Sequence, residues 1–356
     1  MTDYVLLGRS GLRVSRFCLG TMTFGTDWGW GSAEDTSRQI FNEFLNTGAN
    51  FIDTTDGYTN GTSETLIGKF LKERGDRDRV VLATKFGFGR EEGNPNSGGN
   101  GRKNIYSALH SSLRRLQTDY IDLYWLHNWD TLTPPEEVMS TLDDLVRSGK
   151  IRYVGFSNCS GWYLGRAQTI AELRGYERIV ALQLEYSLAE RNIEREHVPA
   201  ALEFGMGITP WSPLAGGLLT GRYQASGGNL SGEGRLNAVR EHPAFATLFT
   251  ERNWAIGGEL VKVAKEIGRS PAQVALNWVA NRPAVSSTII GASKVQQLHD
   301  NLAALDFTIS PELLERLNEI SAPDVHYPYY FFTAGEFKKM VSSGTTVLRT
   351  AAQRAA

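Results

Sequence analysis

The stretch Tyr120-Ile121-Asp122-Leu123-Tyr124-Trp125-Leu126-His127 is an apolar, strand-like run that ends in an imidazole, and an amphipathic segment, Pro135 to Arg147, follows it. A strand that feeds a crossover helix returns the chain parallel to itself. The same unit recurs along the chain. Apolar runs rich in Val, Ile and Phe lie at Phe17 to Gly20, around Phe51, Val81 and Val154, and at Ala181 to Leu184, Ile208 to Pro210 and Ser287 to Gly291. Stretches with helical spacing separate them, among them Ala33 to Asn46, Ser63 to Glu73, Ile105 to Leu116 and Arg195 to Phe204. Roughly eight alternations favour a closed (α/β)8 TIM barrel over an open doubly wound sheet. The 356 residues then form a single domain, 1–356, since such barrels run to more than about 400 residues with insertions.

Several segments stand outside this rhythm. Apolar pairs flanking Gly8-Arg9-Ser10-Gly11 predict an N-terminal β-hairpin at about 4–14. Phe86 to Lys103 is dense in Gly and Asn and has too little apolar content to fold alone, so a mobile lip over the barrel mouth is expected. Ala215 to Asn253 is Gly-rich and polar, and two extra helices, Ile256 to Ile267 and Pro271 to Asn281, delay the last strand. The tail at about 322–356 carries Tyr327, Tyr329, Tyr330, Phe331 and Phe332, an aromatic cluster expected to pack on the barrel and cover the site.

Composition excludes several classes of function. Interspersed charges with a formal net charge of -2 offer no basic patch for nucleic acid. No stretch reaches the roughly 18 unbroken apolar residues of a membrane span, and Met1-Thr2-Asp3-Tyr4 opens without an export signal. Cys18 and Cys159 fit buried thiols in a reducing compartment, so the expected location is the cytoplasm.

In a parallel barrel all the carboxyl ends of the strands open on one face. Asp53, Lys85 and His127 each end an apolar run, and Tyr58 follows Asp53 across one turn. They would meet at one mouth. Tyrosine and lysine ordinarily titrate near pH 10 and about 10.4, so neither carries protons at neutral pH unless tuned. A Lys85 ammonium beside the phenol favours the phenolate and makes Tyr58 a workable acid, Asp53 holds that ammonium, and His127 can orient a substrate oxygen whether neutral or charged. Other chemistries find no match. The 6 histidines show no metal-ligand spacing, so no metal is expected. Gly68-Lys69 is followed by Phe70 where a phosphate loop needs Ser or Thr. Gly155-Phe156-Ser157-Asn158-Cys159 lacks the second glycine of a nucleophile elbow, and no G-x-G-x-x-G follows a strand.

The chain resembles the aldo-keto reductases from Leu19-Gly20-Thr21-Met22 to about Leu305. Phe51-Ile52-Asp53-Thr54-Thr55-Asp56-Gly57-Tyr58 with Gly61, Ser63 and Glu64 looks like that family's first signature, and Thr84-Lys85 and Leu126-His127 look like its remaining tetrad positions. The resemblance implies hydride transfer from a nicotinamide to a carbonyl, with Tyr58 as general acid, Lys85 and Asp53 tuning it and His127 orienting the carbonyl. It also implies a cofactor site across the barrel mouth. Gly20, Thr21, Met22 and Asp53 would lie along it, Ser157, Asn158 and Gln183 would hold the carboxamide, and Trp211 would stack on the nicotinamide. Around Ser212, Pro213, Leu214, Gly216 and Leu218 the backbone amides, with Arg222, would meet the pyrophosphate. Ile290, Gly291, Ala292, Ser293, Lys294, Gln297 and Asn301 look like the adenosine-phosphate segment, where a helix start favours an anion. Many family members place arginine where Ser293 stands, and here Lys294 follows. A lysine meets a 2′-phosphate as a point charge, which favours NADP(H) over NAD(H).

The substrate pocket is expected among loop aromatics: Phe24, Trp28 and Trp30 after the first strand and Trp129 after the fourth. Apolar walls suit a small-molecule ketone or aldehyde on a bulky skeleton. Two other readings stay open: a non-catalytic cofactor-binding subunit on the same fold, and a Schiff-base lyase using Lys85, which needs that lysine neutral.

Overall fold

Eight parallel strands wind in sequence order around one axis. The computed structural model describes residues 3–226, 229–231, 236, 248–333 and 335–345. Before the barrel, β1 (Tyr4–Leu6) and β2 (Arg13–Ser15) form an antiparallel hairpin. The barrel strands are β3 (Phe17–Gly20), β4 (Phe51–Asp53), β5 (Val81–Phe86), β6 (Ile121–Leu126), β7 (Ile151–Ser157), β8 (Ile179–Gln183) and β9 (Gly207–Ile208), closed by β12 (Thr288–Ile290), which pairs with β3. An Ile208–Val285 bridge and a hydrogen bond of 2.9 Å from Ile289 N to Pro210 O join the two ends of the sheet.

The crossover helices are α1 (Glu34–Asn46), α2 (Thr62–Arg74), α3 (Arg102–Leu116), α4 (Pro135–Arg147), α5 (Gly161–Arg174) and α6 (His197–Phe204). After β9 come a hairpin, β10 (Gln224–Ser226) with β11 (Asn229–Ser231), and two added helices, α7 (Glu251–Ile267) and α8 (Pro271–Ala280). Following β12 are α9 (Val295–Leu302) and α10 (Pro311–Ile320), then two short tail helices, α11 (Tyr329–Thr333) and α12 (Gly335–Val341). Local chemistry sets many of the boundaries. Pro271 starts α8 behind a capping box of Ser270 and Gln273, and left-handed Gly75, Gly175, Gly205 and Gly268 end α2, α5, α6 and α7. Among the described residues no helix is long and apolar enough to cross a membrane.

Two apolar layers hold the barrel. The inner one fills its lumen with Cys18, Phe51, Val81, Leu123, Trp125 and Ala181, and the hairpin's Leu7 and Val14 plug its lower end. The outer one lies between strands and helices; α4, for example, buries Val138, Met139, Leu142 and Leu145. In the lumen β6 and β7 pair Trp125 with Gly155, and a Cβ on Gly155 would lie 2.2 Å from Trp125 Cε3. That indole is fully buried and cannot retreat. Gly155→Ala is therefore expected to cost about 1–3 kcal/mol by overpacking, read as a lower denaturant midpoint at unchanged m-value.

The segments outside the rhythm depart from expectation in part. The Gly/Asn-rich lip is laced down: Gly99 N donates to Gly87 O at 2.7 Å, Asn100 N to Asp130 Oδ2 at 2.7 Å, and Asp130 N to Asn100 Oδ1 at 2.8 Å. The tail's aromatic rings stack mainly on one another, with Tyr330 and Phe331 4.5 Å apart and both meeting Phe337, and Tyr327 and Phe332 are 75% and 62% exposed. Its ties to the barrel include hydrogen bonds from Tyr329 to Glu196 and from Arg195 to Asp324 O, at the start of α6. Residues 232–235 and 237–247 of the Gly-rich segment, and 346–356 of the tail, lie outside the described residues.

Candidate active site

Strand ends bring the titratable groups together. Asp53 is the last residue of β4, Lys85 lies near the end of β5, and His127 directly follows β6. Lys85 Nζ pairs with Asp53 Oδ1 and donates to Thr54 O at 2.8 Å, while Gln183 Nε2 donates to Asp53 Oδ2 at 2.9 Å. The ammonium sits 5.2 Å from the centroid of the Tyr58 ring. Burial works against the charge on Lys85, but Asp53, with Tyr58 and Cys18 near it, more than offsets that and leaves its pKa above the ordinary lysine value. For His127 burial and the nearby Lys85 ammonium act in the same direction and push the imidazole well below its usual range, so it is neutral at pH 7. Of the two states open to His127, the neutral one is the one this site holds.

Tyr58 is aimed by an unusual turn. Thr59, Asn60 and Gly61 all have positive φ (46°, 55° and 94°), a run that costs free energy and persists only because neighbours fix it. Thr59 Oγ1 donates to Phe24 O at 2.8 Å and accepts from Ser63 N at 3.1 Å, which anchors the turn between the first loop and α2.

The residues implied for a cofactor fall into two groups. Ser157 and Gln183 are register partners at the ends of β7 and β8, and Gly20 pairs with Asp53. Ser157 Oγ is buried and has no hydrogen-bond partner among the described residues, a cost that a bound polar group would relieve. Asn158, left-handed at φ 44°, donates to His127 O at 2.9 Å and accepts from Trp211 Nε1 at 3.2 Å, so it fixes both neighbours. Ser212, Ala215, Gly216 and Gly217 have positive φ and fold Trp211 to Thr220 into a tight loop that leads to exposed Arg222; Met22, after β3, is partly exposed.

Several of the implied residues have side chains engaged within the protein. Thr21 Oγ1 is fully buried, donating to Asp53 O at 3.0 Å and receiving Ser63 Oγ at 2.9 Å, so its side chain braces β4 and does not face the mouth. Leu218, Ile290 and Ala292 are in the apolar core, and Pro213 is buried, so only their backbone could meet a cofactor. Gln297 Oε1 accepts from Ser293 N at 2.9 Å, and Asn301 Nδ2 donates to Gly291 O at 3.2 Å; both shape the loop ahead of α9. Exposed Lys294 is the residue immediately before that helix.

Among the pocket aromatics, Phe24 is misplaced by the sequence reading. It is fully buried and meets Phe70 of α2 edge-on at 6.4 Å, because the loop turns inward after β3. Trp28 lies edge-on to Tyr58 at 6.3 Å and 5.5 Å from Trp30. Trp129 stacks on Tyr163 at 5.2 Å and meets Trp162 at the same distance, forming a wall from β6 to α5. Sequence reasoning missed Phe88, half exposed on the lip with its ring 4.4 Å from that of His127. Among the described residues no three His, Cys, Asp or Glu side chains could hold a metal ion.

A closed barrel with these groups at its mouth is matched by sequence comparison. The Aldo/keto reductase family profile covers residues 16–322. The chain belongs to the aldo/keto reductase family. Similar proteins include the uncharacterized oxidoreductase YrpG of Bacillus subtilis, 40% identical over 328 residues (89% of this chain, 95% of that one). The aryl-alcohol dehydrogenase [NADP(+)] of Phanerodontia chrysosporium is 34% identical over 338 residues (91% and 87%). A putative voltage-gated potassium channel subunit beta of Schizosaccharomyces pombe is 36% identical over 326 residues (88% and 92%). As a member of this aldo/keto reductase family the chain is an NAD(P)H-dependent oxidoreductase.

Proposed function

We propose that this reductase reversibly converts a ketone or aldehyde to an alcohol with NADPH, Tyr58 serving as general acid in reduction and general base in oxidation. The observation that carries this reading is the buried Lys85–Asp53 pair, completed by Gln183, with its ammonium 5.2 Å from the Tyr58 ring. A fixed cation beside a phenol lowers the cost of forming phenolate as the proton leaves. Neutral His127 is suited to hydrogen-bond a carbonyl oxygen, and Trp28, Trp30, Phe88 and Trp129 offer apolar walls to a small organic substrate. The nicotinamide supplies hydride at C4 when bound. Ser157 Oγ, buried without a partner, fits its carboxamide, and Asn158 and Trp211 are already locked beside it. The high pKa of Lys85 counts against a Schiff-base lyase, which needs a neutral amine.

Consumption of NADPH at 340 nm across a panel of aryl, aliphatic and sugar carbonyls tests the reading; binding of NADPH without turnover on any of them would favour a cofactor-binding subunit instead. The NADP preference rests on Lys294 ahead of α9. Lys294→Ala is expected to raise the KM for NADPH about 10- to 100-fold, since hydrogen bonds to charged groups contribute about 1.5–3 kcal/mol, and to leave the KM for NADH within about twofold.

A further inference from the structure

The tetrad's imidazole is backed by a hydrogen-bonded chain that ends on a buried carboxyl. Thr55 Oγ1 lies 3.4 Å from His127 Nδ1, and its one proton can go to Asp56 Oδ1 at 3.2 Å or to Lys85 O at 3.4 Å. Thr55 and Asp56 are 1% and 4% exposed, and Asp56 Oδ2 accepts no hydrogen bond, with Arg90 Nε of the lip 3.5 Å away. Phe88, two residues from Arg90, packs its ring against that of His127. We propose that Asp56 and Thr55 form a proton wire that selects which ring nitrogen of His127 carries its single proton, and thereby whether the imidazole donates to a carbonyl or accepts from an alcohol.

The argument is one of donor counting. A threonine hydroxyl has one proton to give. When Asp56 is ionised, its carboxylate at 3.2 Å takes that proton in preference to the neutral Lys85 O at 3.4 Å, so Thr55 accepts from His127; the neutral ring then carries Nδ1–H and presents a bare Nε2 on its other side. When Asp56 is protonated on Oδ1, the carboxyl donates to Thr55, the hydroxyl turns to Nδ1, and the proton of the ring resides on Nε2. Passing from the second state to the first releases one proton: Nε2 loses its proton to solvent, Thr55 passes its own to Nδ1, and Asp56 replaces it. No charge develops on the ring in either state, in keeping with its burial beside Lys85. The group that decides is Asp56, which burial and the Glu64 carboxylate push up to about 7, against the pull of Arg90 and Arg115 and of Thr55. Its surroundings are fixed: Arg115 pairs with Glu64 from α3, Thr84 donates to Glu64 at 2.6 Å, and the buried phenol of Tyr124, which feels both carboxylates, is itself held well above its usual range.

The inference rests on the proposed reductase reading for its catalytic meaning, but its first test needs no cofactor. In the full-length protein labelled with 15N-histidine, His127 is expected to pass from Nε2–H to Nδ1–H as pH rises through about 7, without forming imidazolium. Thr55→Val is expected to abolish that tautomer shift and Thr55→Ser to restore it; Asp56→Asn is expected to fix one tautomer across the range. Kinetically, the wild-type ratio of reduction to alcohol-oxidation kcat is expected to fall about tenfold per pH unit above the same midpoint beyond what the Thr55→Val profile shows. A single His127 tautomer throughout in the wild type, or a tautomer shift that persists in Thr55→Val, would overturn the wire. Failure of carbonyl turnover would overturn the reductase reading and leave the tautomer test standing.

Discussion

Tyr58→Phe is expected to lower the kcat for carbonyl reduction by about 10²–10⁴-fold, the usual contribution of a positioned general acid, while the Kd for NADPH stays within about twofold. The substitution removes only the phenolic oxygen. The ring that remains still meets Trp28 edge-on and still lies under the Lys85 ammonium, so the turn at Thr59 to Gly61 keeps its anchors and the protein its fold. A loss of about 2.7–5.4 kcal/mol in transition-state stabilisation would then report the missing proton alone. Single-turnover reduction followed at 340 nm, with cofactor binding by fluorescence titration, separates the two effects. Full activity in Tyr58→Phe would remove Tyr58 from its role, and weakened NADPH binding of the same size would show that the phenol holds the cofactor instead.

Asp53, Lys85 and His127 were legible because a parallel barrel turns the polar end of an apolar run into a coordinate: every such residue faces the same mouth. Ser157 and Gln183 obey the same rule at the ends of β7 and β8. Residues on loops have no such coordinate. Phe24 follows β3 by a few positions, but Thr59 and Gly25 pull its loop inward, and the ring joins Phe70 in the core. The wire behind His127 was equally hidden, since Thr55 meets the imidazole only when the ends of β4 and β6 are folded together. Helix α5 escaped for a different reason: its buried face includes Tyr163, Leu164, Ala167 and Ala171, in which small residues dilute the apolar stripe. The β10–β11 hairpin lies in a polar segment without the alternation that marks a half-buried strand.

The Lys85–Asp53 pair makes the other large effect, because both partners are buried, at 0% and 2% exposure. Lys85→Met leaves a carboxylate in the barrel with Gln183 as a neutral donor, and Asp53→Asn leaves an ammonium facing Thr54 O and a neutral amide. Each single variant is expected to lose about 3–5 kcal/mol of stability, the cost of an unpaired buried charge, seen as a Tm lowered by several degrees. In the double variant no charge remains uncompensated, so its loss is expected to be smaller than the sum of the two, a coupling typical of groups in direct contact. Activity separates the structural role from the chemical one: the double variant regains stability but stays as slow as Lys85→Met, because no cation remains beside Tyr58. The alkaline limb follows from the same pair. Because the folded protein raises the pKa of Lys85, its contribution is fully present below the unfolded value of about 10.4 and is lost as pH rises through the higher folded one. Denaturation midpoints measured from pH 9 upward are therefore expected to fall in the wild type and to lack that component in Lys85→Met. A double variant as unstable as the two singles combined would mean that the pair is held by its separate contacts with Thr54 and Gln183 and not by mutual charge.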